Sequence, residues 1–419
     1  MPSPFDERAP DLAGREPADL AADAREQLEG VTFGAKGDER FHVDPVPRLI
    51  EAAEWEPLAA GLSQRVRALD RWCADVYGAR EIVRDGIVPA RVIETIETYE
   101  PELQGFQPPL WVGIAGLDIV RDANGHFLVL EDNLRTPSGL AYAVAARHAS
   151  TELLQPEEPP LPLDALPELL RDTLVAAAPV DKPRAIVLTD GPDNPAYWEH
   201  AWLAGAIGVP VVHLDELDLD GVDVVYRRTN GDRLDGPTGG ALGDAWREGR
   251  IGLVNGFGVG VGDDKLVHAY VEEMVRYYLG EEPLARSVRT YDLCVPEVLE
   301  EALDRFEELV IKPRSGYGGE GVVICPHAEP EDVEALRSKV EATPDGYIAQ
   351  ELVQLSRHPT VIDGELEPRH VDLRPFVFLG TGGQARVLPG GLTRVAFGEG
   401  ALVVNSSQNG GAKDTWIVP

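Results

Sequence analysis

The chain has 419 residues, 43% of them apolar, with a mean hydropathy of -0.17; this exceeds one ordinary core and predicts a soluble protein of two or three lobes. Its 72 acidic residues outweigh 38 basic ones for a formal net charge of -34, a surface that repels nucleic acid and anionic membranes and excludes both as general partners. No apolar run is long enough to span a bilayer, and M-P-S-P-F-D-E-R lacks the basic and apolar regions of a signal peptide.

Three cysteines, Cys73, Cys294 and Cys325, are odd in number and far apart. That pattern fits a reducing cytoplasm and neither a disulfide frame nor a zinc site. Only six of the 38 basic residues are lysines, and three of those, Lys265, Lys312 and Lys413, sit in stretches marked by Gly or Asp.

Residues 1–28 are poorly patterned and read as a loose segment followed by an exposed helix. From Asp44 to Tyr77 the text reads as helix: Pro45 and Pro47 mark a start, and apolar residues recur at three and four (Leu58, Leu62, Val66, Leu69). Arg48, Gln64, Arg65 and Arg67 read as its solvated face, with substrate contact as the alternative.

Gly116 to Gly139, G-L-D-I-V-R-D-A-N-G-H-F-L-V-L-E-D-N-L-R-T-P-S-G, carries a hairpin. Asn124-Gly125 is a two-residue turn signal that pairs Ala123 with His126 and, counting back, Asp118 with Glu131. Alternation then puts Asp118, Glu131 and Asn133 on one face, with Ile119, Leu128 and Leu130 on the other. Two carboxylates and a carboxamide oxygen suit a hard cation such as Mg²⁺.

Residues 151–183 read as a linker with one helix. A Rossmann-like α/β unit follows over 184–262: strands at Arg184 to Leu188, Pro210 to Leu214 and Asp223 to Arg228, with a helix from Ala196 to Gly208. Its G-P-D-N-P turn, Gly191 to Pro195, stands at a strand's C-terminal end, where open sheets bind ligands or simply turn. A helix is expected to start at Asp263 or Asp264. Lys265 then falls in its first turn, where a cation is unfavourable unless an anion lies beside it.

The stretch Glu307 to Val323, E-E-L-V-I-K-P-R-S-G-Y-G-G-E-G-V-V, reads as a strand delivering Lys312, a loop rich in glycine (Gly316, Gly318, Gly319, Gly321) behind Ser315, and a second strand. Such a loop lays backbone N–H groups over a polyphosphate, or it is a hairpin with a flexible tip. Y-I-A-Q-E-L-V follows a helix from Pro330 to Glu341. The end of that strand, Gln350, Glu351, Leu352 and Val353, could present backbone groups to an adenine edge. In R-H-V-D-L-R-P-F-V-F, His370, Asp372 and Arg374 share a face.

Taken together the sequence resembles the circularly permuted type 2 ATP-grasp proteins. The resemblance rests on D-P-V-P-R-L-I, Q-R-V-R-A-L, E-D-N-L-R-T-P-S-G, D-V-V-Y-R-R, G-D-D-K, G-G-L-T-R-V-A and N-S-S-Q-N-G-G-A-K-D-T-W, in order over about residues 30–419. The E-x-N of the hairpin precedes the lysine strand, as a circular permutation requires. The tail N-S-S-Q-N-G-G departs from the unbroken glycine run the family resemblance leads one to expect.

The resemblance implies an α/β fold of α+β lobes: a permuted ATP-grasp fold with a Rossmann-like pre-ATP-grasp unit. The hairpin would fall within 29–150 and the nucleotide-binding region within 263–419. It implies ATP and Mg²⁺, the latter as two ions on Asp118, Glu131 and Asn133, with Lys265 and Lys312 on the phosphates under the glycine lid. Arg374 would steady the transferring group, with Arg394 and Arg135 lining the same cleft. The implied reaction joins a small carboxylate to an amine through an acyl phosphate. A phosphotransferase on the same fold is equally compatible with these residues, whereas a binding protein without turnover is disfavoured by the intact lysines and metal set.

Overall fold

The computed structural model describes residues 3–34, 39–315, 321–398 and 410–419. Among them the strands form a large ten-stranded sheet, two four-stranded sheets and a two-stranded ribbon.

The large sheet explains how distant parts of the chain meet. Its hairpin, Ile114–Arg121 with Phe127–Asn133, borders Glu365–Arg374 through the pair Leu373 and Ile119. Glu365–Arg374 pairs antiparallel with Leu392–Ala396, which pairs with Gly410–Val418. That last strand runs parallel to Val43–Glu51 at the end of this path. An early hairpin and late strands thus share one surface.

Val43–Glu51 corrects the expected helix start: the helix is Ala52–Val76. Pro45 and Pro47 do not begin it. They lie in the terminal strand of the ladder, where a missing N–H costs little. The solvated-face reading of Arg48, Gln64 and Arg65 is also overturned, since all three are buried. Arg48 donates two 2.6 Å bonds to Glu7, and Arg65 grips Asp132 at 2.6 and 2.7 Å; a buried guanidinium is tolerable only with such a partner. Glu7 also makes the expected loose segment part of the fold. The helix Pro17–Gln27 buries Leu20 and Ala24 against Leu153, Leu154 and Trp416.

The Rossmann-like unit is a parallel sheet in the order Val211–His213, Ala185–Thr189, Val224–Arg228, Gly252–Val254. Its first three strands and the helix Tyr197–Ile207 lie close to their expected bounds. The helix expected inside the linker, Leu166–Ala177, buries Leu169, Leu170 and Leu174 in the core it shares with this sheet. It is a covering layer of the unit, not a tether.

The lysine strand Leu309–Pro313 lies between Tyr347–Glu351 and Val323–Ile324 in an antiparallel sheet. This lobe has its own core, centred on Phe306, Leu309, Ile311, Val340 and Ala349. Among the described residues no helix is long and apolar enough to cross a membrane.

Candidate active site

The hairpin places its oxygens as alternation requires, by a different turn. Five residues, 122–126, separate the paired strands. Asp122 Oδ1 accepts the backbone N–H groups of Asn124 and His126 at 2.9 and 2.8 Å, and Gly125 takes φ +85°. Near the tip Arg121 therefore faces Phe127, one residue from the expected register. An irregularity between Asp118 and Ile119 restores it, so Asp118 faces Glu131 and Gly116 faces Asn133.

The lysine strand meets this face. Lys312, buried on its own sheet, brings Nζ to 3.3 Å from Glu131 Oε1 across 181 residues of sequence. Lys265 belongs to the same corner. Burial lowers its pKa, Glu131 and Asp264 pull it back up, and Lys312 and Arg135 lower it further. Two like charges therefore act on each other across one carboxylate.

Lys265 is not in a helix's first turn, as expected from the sequence. It sits between the 3₁₀ turns Val259–Gly262 and Val267–Tyr270, and the α-helix begins only at Val271. The two acids before it act as braces. Asp263 accepts the backbone N–H groups of Leu134 and Arg135 and the Arg135 Nε at 2.8 Å, so it holds the exit of the hairpin. Burial raises the Asp263 pKa to about 6, against the pull of Arg135. Asp264 accepts Arg314 Nε at 2.8 and 3.0 Å, which holds the exit of the lysine strand. Arg314 is anchored further by the Val92 carbonyl at 2.8 Å.

The arginines expected in one cleft divide into two groups. Arg374 makes a bidentate pair with Asp118 at 2.7 and 3.0 Å. Arg394 reaches Asp118 at 2.9 Å and also holds Asp372. Burial works to raise the Asp118 carboxyl, but the two guanidiniums overcome it and hold the pKa at about 2. For Asp372 burial dominates, and its pKa is raised despite Arg394. Arg135 pairs with Asp263 and, at 3.4 Å, with Asp232. It is thus tied to the lysine corner, not to the Arg374 pair.

The glycines Gly316, Gly318 and Gly319 lie outside the described residues. Ser315 and Gly321 bracket them, and Gly321 needs to be glycine: its φ is +72°, and a Cβ there would lie 2.7 Å from Pro313 Cγ. In the expected hinge, Gln350 is buried. Its Nε2 donates to Thr290 Oγ1 at 3.0 Å, and its Oε1 has no partner among the described residues. The Glu351 carboxylate turns away to Arg305, at 2.8 and 3.0 Å. Leu352 and Val353 follow the strand's last residue, Glu351.

Sequence reasoning missed Arg314, Asp263 and the Arg65–Asp132–His268 group behind the hairpin, where His268 Nδ1 lies 2.8 Å from Asp132. It also missed Asn255, whose Oδ1 accepts Gly113 and Ile114 N–H at 2.8 and 2.9 Å. The doubled acid of G-D-D-K, and the E-D-N alternation that sends Asp132 to the opposite face from Glu131, were the available signals.

A family model for circularly permuted ATP-grasp type 2 proteins matches residues 47–396. A Frankia casuarinae protein named "Putative glutamate--cysteine ligase 2-2" is 46% identical over 94% of this chain and 49% of its own length. A second Frankia relative is likewise covered over 49%, so the chain spans about half the length of these relatives. A Synechocystis protein, "Uncharacterized protein sll0335", is 42% identical over 93% of this chain and 88% of its own. Among solved structures, a glutathione synthetase-like effector from Globodera pallida in its apo form has the same fold. Its TM-score is 0.68 at 10% identity, and the match covers 98% of this chain and all of that one. The chain belongs to the circularly permuted ATP-grasp type 2 family.

Proposed function

We propose that the protein is an ATP- and Mg²⁺-dependent ligase that forms a C–N bond between a small carboxylate and an amine through an acyl phosphate, in the cytoplasm. The observation that carries the reading is the 3.3 Å contact between Lys312 and Glu131, which joins the lysine strand to the hairpin. The relatives named as ligases support it, although those names belong to chains about twice as long.

The residues fit both groups. The Lys312 ammonium beside Glu131 supports a carboxylate open to a cation from the side of the lysine strand. Mg²⁺ keeps its waters and is held by one or two carboxylates together with phosphates. Glu131 and Asn133 would supply its oxygens, while Asp118 across the ladder, expected as a third ligand, is held by Arg374 and Arg394. When bound, the metal offsets phosphate charge.

The chain's own residues do the rest. Lys265 and Lys312 bind the polyphosphate, Asp263 and Asp264 brace the segments that carry them through Arg135 and Arg314, and Arg374 and Arg394 fix the hairpin face through Asp118. Gln350 to Val353 line the base. The work is positioning and electrostatics, with no protein nucleophile. The acceptor amine attacks the acyl carbon, and phosphate leaves.

Hydroxylamine trapping with pooled carboxylates tests this reading: a hydroxamate should form with release of ADP. A product that keeps the ATP phosphate as a stable ester would make the protein a phosphotransferase.

A further inference from the structure

Arg227, on the strand Val224–Arg228, is 1% exposed, yet its charge is not compensated as its counterparts are. Every other buried arginine among the described residues faces a carboxylate, from Arg48 on Glu7 to Arg394 on Asp372. Its neighbour Arg228 has Glu199 at 3.0 Å. Arg227 Nη1 donates to the Gly231 carbonyl at 3.0 Å, and the guanidinium sits 4.8 Å from the Phe257 ring centroid. Its Nε and Nη2 have no hydrogen-bond partner among the described residues. Asp232 and Asp190 act on it only from beyond ion-pair distance, and a buried guanidinium without a contacting carboxylate is costly.

A second orphan lies alongside. Thr238 Oγ1 is buried without a partner among the described residues, and a Cβ placed on Gly231 would be 2.9 Å from it. Gly231 thus has Arg227 on its carbonyl and Thr238 at its Cα. Both groups belong to the C-terminal edge of an all-parallel sheet, outside which open α/β sheets bind ligands. Asp232 connects this edge to the active site, since it pairs with Arg135 at 3.4 Å. Burial lowers the Arg227 pKa to about 10, which leaves it charged at neutral pH.

We propose that Arg227 and Thr238 form a seat for a second, non-reacting carboxylate of the substrate, so that the ligase acts on a dicarboxylate or a carboxylate-bearing amino acid or peptide. Nε and Nη2 are the side-on fork that matches a planar carboxylate with two parallel bonds, and the hydroxyl adds a third donor. The segment 229–239 folds back over the guanidinium, so access requires it to lift. The inference rests on the carboxylate-ligase reading above, and its test is separable from that reading.

The full-length protein is melted in chloride and in malonate, succinate or glutarate at matched ionic strength, with Mg²⁺–AMP-PNP binding measured in parallel. At least one dicarboxylate should raise the wild-type midpoint by a few degrees, as a ligand of the folded state does. Arg227→Met, which keeps the contact with Phe257, should melt no lower than wild type in chloride and lose that rise. If Arg227→Met does not fold, Arg227→Gln carries the same comparison. A wild type that responds to none of the three overturns the seat, as does a folded variant that keeps the full response. Failure of AMP-PNP to bind wild type would remove the nucleotide reading, while the dicarboxylate response would still decide on Arg227.

Discussion

Asp118 and Glu131 stand directly across one antiparallel ladder, yet they belong to charge clusters of opposite design. Asp118 is enclosed with Arg374, Arg394 and Asp372: two guanidiniums against two carboxylates, neutral as a set and nearly out of water. Glu131, only half-buried, faces an ammonium corner, with Lys312 at 3.3 Å and Lys265 within its field. Arginine forks fix geometry, whereas lysine presents a compact charge that a phosphate can claim. The first cluster uses its charge inside the fold. The second brings two ammonium groups to one half-buried carboxylate, and the acids before Lys265 brace the segments around it.

The sharpest way to break this contrast is Asp118→Ala. It would leave two guanidiniums facing Asp372 alone, and removing one partner of a buried pair costs about 3–5 kcal/mol. Urea unfolding should show that loss; a variant as stable as wild type would mean that the arginine cluster is not structural. Lys312→Ala should behave oppositely, with little change in stability and a loss of about 1–3 kcal/mol in Mg²⁺–AMP-PNP binding, the worth of a charge-assisted bond. Unchanged affinity by calorimetry in a folded variant would remove the lysine strand from the site. A smaller effect is expected at the brace. Asp264→Asn keeps the shape of the side chain but loses the charge on Arg314, and should weaken nucleotide binding by about tenfold, or 1.4 kcal/mol. Arg314→Lys should cause a similar loss, and the double variant should lose less than the sum of the two, because the residues act as one unit.

The parts of the site legible in the sequence were those with local chemistry. Lys312 follows an apolar strand and precedes glycines; Asp118, Glu131 and Asn133 follow from alternation around a turn. Their pairing survived an error in turn length because the irregularity beside Asp118 compensated for it. What was not legible depends on long-range partners. Arg48 and Arg65 look like a solvated face until Glu7 and Asp132 arrive from other segments. Pro45 and Pro47 signal a helix start only while the parallel neighbour Gly410–Val418 is unknown. Asp263 and Asp264 are indistinguishable as text, yet one holds the hairpin and the other the lysine strand.

Asp263 gives the finest test of the contrast, because it titrates against the direction of Asp118. The Asp118 pKa is held at about 2 by Arg374 and Arg394, below its ordinary 3.8. Its contribution to stability is therefore present above about pH 4 and lost as pH falls toward 2. The Asp263 pKa is raised to about 6, chiefly by burial, so between pH 4 and 6 the folded protein binds a proton that the unfolded chain has released. Stability from this group is full below about pH 4 and falls as pH rises through 6, with a slope of at most about 1.4 kcal/mol per pH unit. In that window Asp118 is ionised in the folded state and silent. Asp263→Asn retains an oxygen for the Leu134 N–H, gives up the one that Arg135 uses, and cannot titrate. Denaturant unfolding of both proteins at pH 4, 5, 6 and 7 should therefore show a flatter profile for the variant, with the two curves diverging most between pH 4 and 6. Parallel profiles would mean that Asp263 is already ionised throughout, and that the hairpin brace is an ordinary ion pair like those of the arginine cluster.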